Sequence, residues 1–405
     1  MHKQLPIGLD EALRMTLECI DPLDIEKVSL LDSLNRALAA DVHAKVDSPS
    51  VDASLKDGYA VISRQVEGAS RDRPINLKLV GFQAAGGNED VAVPPGTTVR
   101  VLTGAKIPPG ADAVVAEEFV SVSEETITFH RDAEPGRNIL PKSSDVASGK
   151  VVAHRGTVVS PGLVGLLAAA GHDRLSVIRC PDVAIIATGD EVVAPGQPLP
   201  EGKLFASNIT TLGGWCRRFG MRPHLAVVKD QARQIGEALS RYAEKTDAII
   251  TSGGAWTGDR DLVAQILEEL GWRRVFHRIR IGPGKAVGFG LLQDKPVFIL
   301  PGGPPSNLMG FLQIALPGLL KLAGHRHCRL ACINVRLATR LSGRTMDWTQ
   351  FIYGTLEPSA DLPVFHALRG NSRLRSMAEA QAVVAIPEGE LELASGAVVA
   401  AQVLV

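Results

Sequence analysis

The sequence predicts a multidomain α/β plus β protein, and three observations carry that expectation. From residue 180 onward, apolar strands alternate with amphipathic helices, the pattern of a doubly wound α/β sheet with buried strands. From 59 to about 140 the chain reads as short strands split by Gly and Pro, a β-rich module without a long helix. After about 327 short strands return as a C-terminal β domain. A chain of 405 residues is too long for one ordinary core, so several domains are expected. Hydrophobic residues at 45% and charged residues at 21% give the profile of a soluble globular protein.

The elements follow in order. Leu9, Leu13, Leu17 and Ile20 recur at helical spacing and predict a helix over 8–20, with a second helix over about 25–39. "SPSVDASLKDGYAV" at 48–61 is a turn-rich entry to a strand, and "INLKLVGF", "TTVRVL", "DAVVAEEFV" and "TITFH" are the strands of the β-rich module. "SPGLVGLLAAAG" at 160–171 predicts a short helix capped by Ser160, with Pro161 in its first turn and Gly171 at its end. Its low charge suggests packing against the N-terminal helices, so the ends of the module come from two separated stretches. In the α/β part, "DVAIIAT", "HLAVVK", "DAIITS" and "PVFIL" are strands, each followed by a helix: 207–219, 231–244, 259–270 and 304–321. "CINVRLAT", "WTQFIYGTLE", "AVVAIP" and "AVVAAQVLV" are the closing strands.

Composition excludes several functions. A net charge of −1 leaves no excess of Lys and Arg to neutralise a phosphate backbone, and 4% aromatics leave few stacking platforms, so no nucleic-acid partner is expected. "MHKQLPIGLDEALRM" has no apolar signal core, and no apolar run approaches the ~18 residues of a membrane span. Cys19, Cys180, Cys216, Cys328 and Cys332 form an odd, scattered set that suits reduced thiols in a cytoplasm. "GHRHCRLAC" at 324–332 places His325, His327, Cys328 and Cys332 together, but it follows an apolar helix and Gly324. It reads as a basic helix end rather than a zinc site.

Ligands of an open α/β sheet bind beyond the carboxyl ends of its strands. Three glycine-containing junctions lie there: "TGDE" at 188–191, "TSGGAWTGDRD" at 251–261 and "PGGPPSN" at 301–307. Any one of them is a tight turn. Together, with the hydroxyls of Thr188, Thr251, Ser252 and Ser306, they favour an anion or phosphate site. Gly253 and Gly254 let a ligand reach the backbone. The site is not a familiar nucleotide loop. Lys150, Lys203 and Lys285 each follow a glycine but lack the next Ser or Thr of a P-loop, and no GxGxxG opens a helix after the first α/β strand.

Acids accompany these glycines. Asp259 reads as a helix cap, whereas Asp190 and Glu191 stand well before the next helix, and Asp261 is not explained by capping alone. Carboxylates beside an anion site repel the ligand unless a cation bridges them, and Mg²⁺ is the usual bridge to phosphate. Asp57 in "KDGYA" and Asp145 in "KSSD" are further acidic points on turns, and Arg137, Lys142 and Lys285 are available positive charges.

At these motifs the chain resembles the molybdopterin molybdenumtransferase family, MoeA and the homologous part of gephyrin. "DASLKDGYAV" resembles the family's "DNSAMDGYA", and "LTGAKIPPGADAVVAEE" is close to "TGAPIPPGADAVV". "PGRNILPKSSD" is similar to "GxNVRxxGED", and "IIATGDEVVAPGQPL" to "STGDELVxPGxPL". "TSGGAWTGDRD", "IGPGKAVGFG" and "LPGGPPSN" resemble "SGGVSVGxxD", "KPGKPxxFG" and "LPGNPVSA". The order along the chain is the family's.

The resemblance implies an elongated, dimerising subunit of four parts. These are a helical part from 1–44 with 145–178, the inserted β-rich module 45–144, a MoaB/MogA-like α/β domain at 179–326 that binds molybdopterin, and a β-barrel-like domain at 327–405. It implies a cytoplasmic enzyme that uses Mg²⁺ to insert molybdate into adenylylated molybdopterin and releases AMP, with other cofactor-pathway proteins as partners. In that reading Glu191 and Asp261 sit near pyrophosphate and metal, and Lys285 holds phosphate or molybdate. Asp57, Thr103 and Asp145 come from the partner subunit's β module. Thr188, Gly189, Asp190, Ser252, Gly253, Gly254, Pro301, Gly302 and Ser306 bind substrate.

The chain also departs from the pattern. Gly282 stands for the first Lys of "KPGK", Leu140 for an Arg, Ser143 and Ser144 for Gly-Glu, and Lys56 for an apolar residue. Trp256 stands for a small residue, and Gly303 and Pro305 for Asn and Val. Lys56 and Lys142 are the candidates to compensate for the lost charges. A tungstate-preferring insertase and a non-catalytic pterin-binding scaffold remain the alternatives.

Overall fold

The computed structural model describes residues 6–87, 91–253, 262–368 and 373–405. Helix α1 (Leu9–Glu18) buries Ala12, Leu13 and Thr16. The helix expected over 25–39 does not form. Ile25–Ser29 is a strand paired antiparallel with Arg174–Ile178, followed by a 3₁₀ turn at Leu31–Ser33. Ser29 Oγ accepts the Asp32 N–H at 3.2 Å, a local turn that competes with helix, and Asn35 has φ 62°, which no right-handed helix continues through.

Helix α2 (Pro161–Ala169) begins as the sequence indicates: Ser160 Oγ accepts the Leu163 N–H at 3.3 Å, Pro161 follows, and Gly171 leaves at φ 89°. Its packing differs from expectation. Leu167 of α2 is buried among Leu38, Val159, Leu175 and Val177, whereas α1 belongs to the core of the α/β sheet. The two separated stretches do meet, but through strands: Val42–His43 also pairs with Val151–Ala153.

The β-rich module is a six-stranded sheet of β1 (Gly58–Val61), β2 (Ile75–Gln83), β3 (Thr97–Val101), β4 (Ala113–Ala116), β5 (Val120–Ser123) and β6 (Thr126–Phe129), in the order β4-β1-β3-β2-β6-β5. Alternation sends Tyr59 and Val61 to a core with Ile127 and Phe129, and Ala60 to another with Val99, Val101 and Val114.

The α/β sheet contains β7 (Asp182–Thr188), β8 (Arg222–Val228), β9 (Ala248–Ser252), β10 (Arg273–His277), β11 (Gly288–Leu292) and β12 (Lys295–Leu300), in the order β8-β7-β9-β12-β11-β10. The first four are mutually parallel. β10 and β11, which the sequence pattern did not reveal, add an antiparallel edge. Val183, Ile185 and Ala187 face α1, α3 (Ser207–Arg218) and the helical segment from Pro304 to Leu322. Ala184 and Ile186 face α4 (Ala232–Lys245) and α5 (Leu262–Glu269). The long helix expected at 304–321 is α6 (Pro304–Gly310), a π-helical turn (Phe311–Ala315) and α7 (Leu316–Leu322). It ends at Gly324, φ 78°, with His325 N–H on Leu320 O at 2.9 Å and Gly324 N–H on Lys321 O at 2.9 Å, the double bond of a glycine-stopped helix.

The C-terminal strands are β13 (Cys332–Leu337), β14 (Thr349–Glu357), β15 (Val364–Ala367), β16 (Ala382–Ile386) and β17 (Val398–Val403). β14 pairs with both β15 and β16, which closes the ring β14-β15-β13-β17-β16 into a five-stranded barrel. Short helix α8 (Arg373–Glu379) lies between β15 and β16. Ile281–Gly282 adds parallel to Thr349–Gln350 and stitches the barrel to the α/β sheet.

Candidate active site

A cleft of about 510 Å³ opens at the carboxyl ends of β7, β9 and β12. Thr188, Glu191, Ser252, Gly253 and Gly302 line it, all expected from sequence. Gly189, Asp190 and Pro301 are their chain neighbours, and Ser306 lies in the first turn of α6 behind Pro304 of the lining. The three glycine junctions therefore build one site, because parallel strands deliver all their carboxyl ends to one edge.

The floor is polar and tightly specified. Ser252, 4% exposed, receives hydrogen bonds on Oγ from Asn307 Nδ2 at 3.0 Å and Asn208 Nδ2 at 3.3 Å. The same amides donate to Pro301 O at 2.9 Å and Gly302 O at 2.8 Å. With two amides feeding its lone pairs, the Ser252 hydroxyl keeps its proton to donate elsewhere. Thr188 and Thr251 are buried with Oγ1 atoms that meet no protein partner, unmet hydrogen-bonding capacity at the strand ends. Gly253 holds φ 103°, and a Cβ there would lie 2.5 Å from Thr188 O. Only glycine fits that approach between two strand ends. Asn208 and Asn307 were missed by sequence reasoning. Their signal was a poor helix former near each helix start, directly beside a glycine junction or strand.

The acidic side of the cleft is the "TGDE" turn. The Glu191 carboxylate folds back over Gly189, and Asp190 Oδ1 accepts the Asp230 N–H at 3.3 Å. Asp230 was not anticipated. Burial first, then the negative charges of Asp190 and Glu191, push its carboxyl above the usual aspartate range. Crowded carboxylate oxygens are the donor set of a hard cation. Among the described residues no three His, Cys, Asp or Glu side chains form a closed metal cage. An open acidic turn suits Mg²⁺, which keeps waters and takes one or two carboxylates plus phosphate oxygens. Gly254, Trp256, Asp259 and Asp261 lie outside the described residues.

The other expected residues gather elsewhere. Asp57 Oδ1 accepts the Thr103 N–H at 2.7 Å and its hydroxyl at 2.8 Å, and the backbone bond above all holds the carboxyl below the ordinary range. Asp52 Oδ1 accepts the Lys142 N–H at 2.7 Å, and Gly104 N–H reaches Ser54 O at 2.8 Å. The loops bearing Asp57, Thr103, Lys142 and Asp145 are thereby tied into one exposed edge of the β-rich module. None of these four residues lines the cleft of the same subunit. Lys142 Nζ pairs with Asp47 at 3.1 Å, so its charge is already engaged, and Arg137 is paired with Glu134 at 3.5 Å. Ser143, at φ 64°, occupies a left-handed position where the family pattern has glycine. Lys285 is exposed on the loop after Gly282, whose Gly284 lies against Ser306 O of α6.

A family model of the MoeA N-terminal region (domain I and II) matches residues 7–171, and one described as "Probable molybdopterin binding domain" matches 184–321. The chain is 32% identical to the molybdopterin molybdenumtransferase of Bacillus subtilis (strain 168) over 407 aligned residues, covering 98% of this chain and 94% of the relative. The chain belongs to the molybdopterin molybdenumtransferase family. It is an enzyme of molybdenum cofactor biosynthesis. It is also 32% identical to molybdopterin molybdenumtransferase 2 of Mycobacterium tuberculosis (strain ATCC 25618 / H37Rv), over 91% of this chain and 92% of that one. The molybdopterin biosynthesis moeA protein of Pyrococcus horikoshii OT3 superposes with a TM-score of 0.83 at 28% identity, over 98% of this chain and 100% of that chain. All of the cleft lining except Leu374 falls within the 184–321 stretch that the second family model matches.

Proposed function

We propose that this transferase inserts molybdate into adenylylated molybdopterin with Mg²⁺ and releases AMP. It acts as a cytoplasmic homodimer, with other proteins of the cofactor pathway as partners, and with the four-part division expected from sequence. The observation that carries the reading is the cleft itself, a hydroxyl and amide floor at Ser252, Asn208 and Asn307 facing an acidic turn at Asp190, Glu191 and Asp230. The floor suits anionic phosphate oxygens. The turn would hold Mg²⁺ through Glu191, with Asp261 as the further ligand expected from sequence. When bound, the cation supplies positive charge to offset the carboxylates and the phosphoanhydride oxygens. Ser252 orients substrate by donating its hydroxyl proton, and Thr188, at the end of β7, lines the same cleft. Lys285, on the loop packed against Ser306, carries charge toward phosphate or molybdate.

Two features support the dimer. Asp57, Thr103 and Asp145 stand apart from the cleft of their own subunit, as expected if they serve the partner's. Helix α2 has no charged residue and buries only Leu167, leaving Leu163, Val164 and Leu166 half-exposed, an apolar surface that a second subunit would cover.

Incubation with adenylylated molybdopterin, Mg²⁺ and molybdate is expected to release AMP. Tight molybdopterin binding without AMP release, with either molybdate or tungstate, would replace this reading with a non-catalytic binder. Release with tungstate alone would make the protein a tungstate insertase.

A further inference from the structure

The outer wall of the cleft is apolar, unlike its floor. Leu199, Leu204 and Phe205 line it while 49%, 64% and 42% exposed. The fourth member, Leu374, is 49% exposed and comes from α8, an element of the C-terminal barrel. Four large apolar side chains left together in water around one opening mark a surface that a ligand covers.

The barrel presents Leu374 from a defined base. Leu368 N–H bonds Tyr353 O and Gln381 N–H bonds Gly354 O, each at 2.9 Å, so both sides of the α8 excursion are pinned to adjacent residues of β14. Tyr353 also donates its hydroxyl to Pro305 O at 3.4 Å, fixing β14 to the first turn of α6. α8 packs on α6, and Pro304 of α6 lines the cleft beside Leu374. Helix α8 has no buried residue of its own, and Met377 is the side chain it rests on the main core. Stability alone therefore does not account for an exposed leucine at this place.

We infer that Leu374 contacts substrate and sets the affinity of the cleft for a planar nitrogen heterocycle, the pterin or the adenine of adenylylated molybdopterin. This rests on the reading of the cleft as the molybdopterin site. Such a ring has apolar faces and a hydrogen-bonding edge. The faces match Leu374, Leu204 and Phe205, and the edge or its phosphate matches Ser252 and Asn208.

The test is calorimetric binding of AMP and of molybdopterin, separately, to the full chain and its variants. Leu374→Ala is expected to weaken one of the two by about five- to tenfold, from lost apolar contact, and the ligand affected identifies which ring lies against the leucine. Leu374→Met should restore affinity to within about twofold, because it refills the volume. Leu391, 40% exposed on the barrel and outside the cleft lining, is the control, and Leu391→Ala should bind both ligands as the wild type does. Wild-type affinity of Leu374→Ala for both ligands, or an equal loss in Leu391→Ala, overturns the inference while the cleft assignment stands. Failure of the unaltered protein to bind either ligand overturns the cleft assignment, and this inference with it.

Discussion

Asn307, on α6, donates its amide to Ser252 Oγ at the end of β9 across 3.0 Å, and the pair is almost wholly buried. This bond ties the "PGGPPSN" junction to the "TSGG" junction and aims the serine. Asn307→Ala leaves Pro301 O without this donor and removes a donor from Ser252, so a loss of about 1–3 kcal/mol is expected. Chemical denaturation reads the stability. Molybdopterin affinity should fall as well, because Ser252 becomes free to turn its proton inward. A variant as stable and as tight as the wild type would show that the bond does not organise the floor.

Gly253→Ala tests the close approach of the two strand ends. The added methyl meets Thr188 O, and φ 103° is costly for any L side chain. A destabilisation of about 1–3 kcal/mol is expected, with loss of ligand binding, read by thermal melting and calorimetry.

Asp57 is exposed, so Asp57→Asn should melt like the wild type while AMP release falls at least about tenfold, if the charge is needed in the transition state. Its Thr103 bonds depress the folded pKa. At this exposed position the stability its charge adds is too small to move the melt; it is present above the unfolded value and lost only as pH falls through the lower folded one. The carboxylate stays ionised across the neutral range, and an acidic limb in the rate profile between pH 6 and 8 should survive in Asp57→Asn. Wild-type turnover in this variant would misplace the β-module half of the site.

His325 reports on acid stability. Burial lowers its pKa from 6.5 to about 4, so the unfolded chain binds the proton first. Stability should fall as pH drops from about 6.5 to about 4, by about 3 kcal/mol from this group. Urea midpoints of His325→Gln should show a visibly flatter dependence over that window. An unchanged slope would place the acid sensitivity elsewhere.

Gly282 has space for a side chain: a Cβ there meets Gln350 Cγ only at 3.7 Å. Gly282→Lys should therefore cost little stability, within about 0.5 kcal/mol for a surface-type change. It should also tighten molybdate binding in a salt-sensitive way, because Lys142, the expected substitute charge, is already held by Asp47. Equal molybdate affinity in both proteins would show that this chain balances the oxyanion by other means.

Strand and helix placement in the α/β part was legible because buried parallel strands and one-sided helices print strong periodicities. The stretch over 25–39 misled because Ile25–Ser29 is drawn into a strand pair and Leu31 into a 3₁₀ turn, and pairing partners more than a hundred residues away leave no local mark. The antiparallel edge of β10 and β11 was missed for a similar reason, since "RRVFH" and "GFGLL" are short and irregular alone.

The sequence by itself determined the family, the three glycine junctions and the part of the cleft lining made by Thr188, Glu191, Ser252, Gly253 and Gly302, because those features are carried by contiguous motifs whose chemistry is local. Only the tertiary structure decided that Asn208 and Asn307 converge on one serine, and that Asp230 crowds Asp190 and Glu191. It also decided that Lys142 is occupied and that the barrel sends Leu374 to the cleft. Each of these depends on side chains brought together from distant positions by sheet order and helix packing, which residue spacing along the chain does not encode.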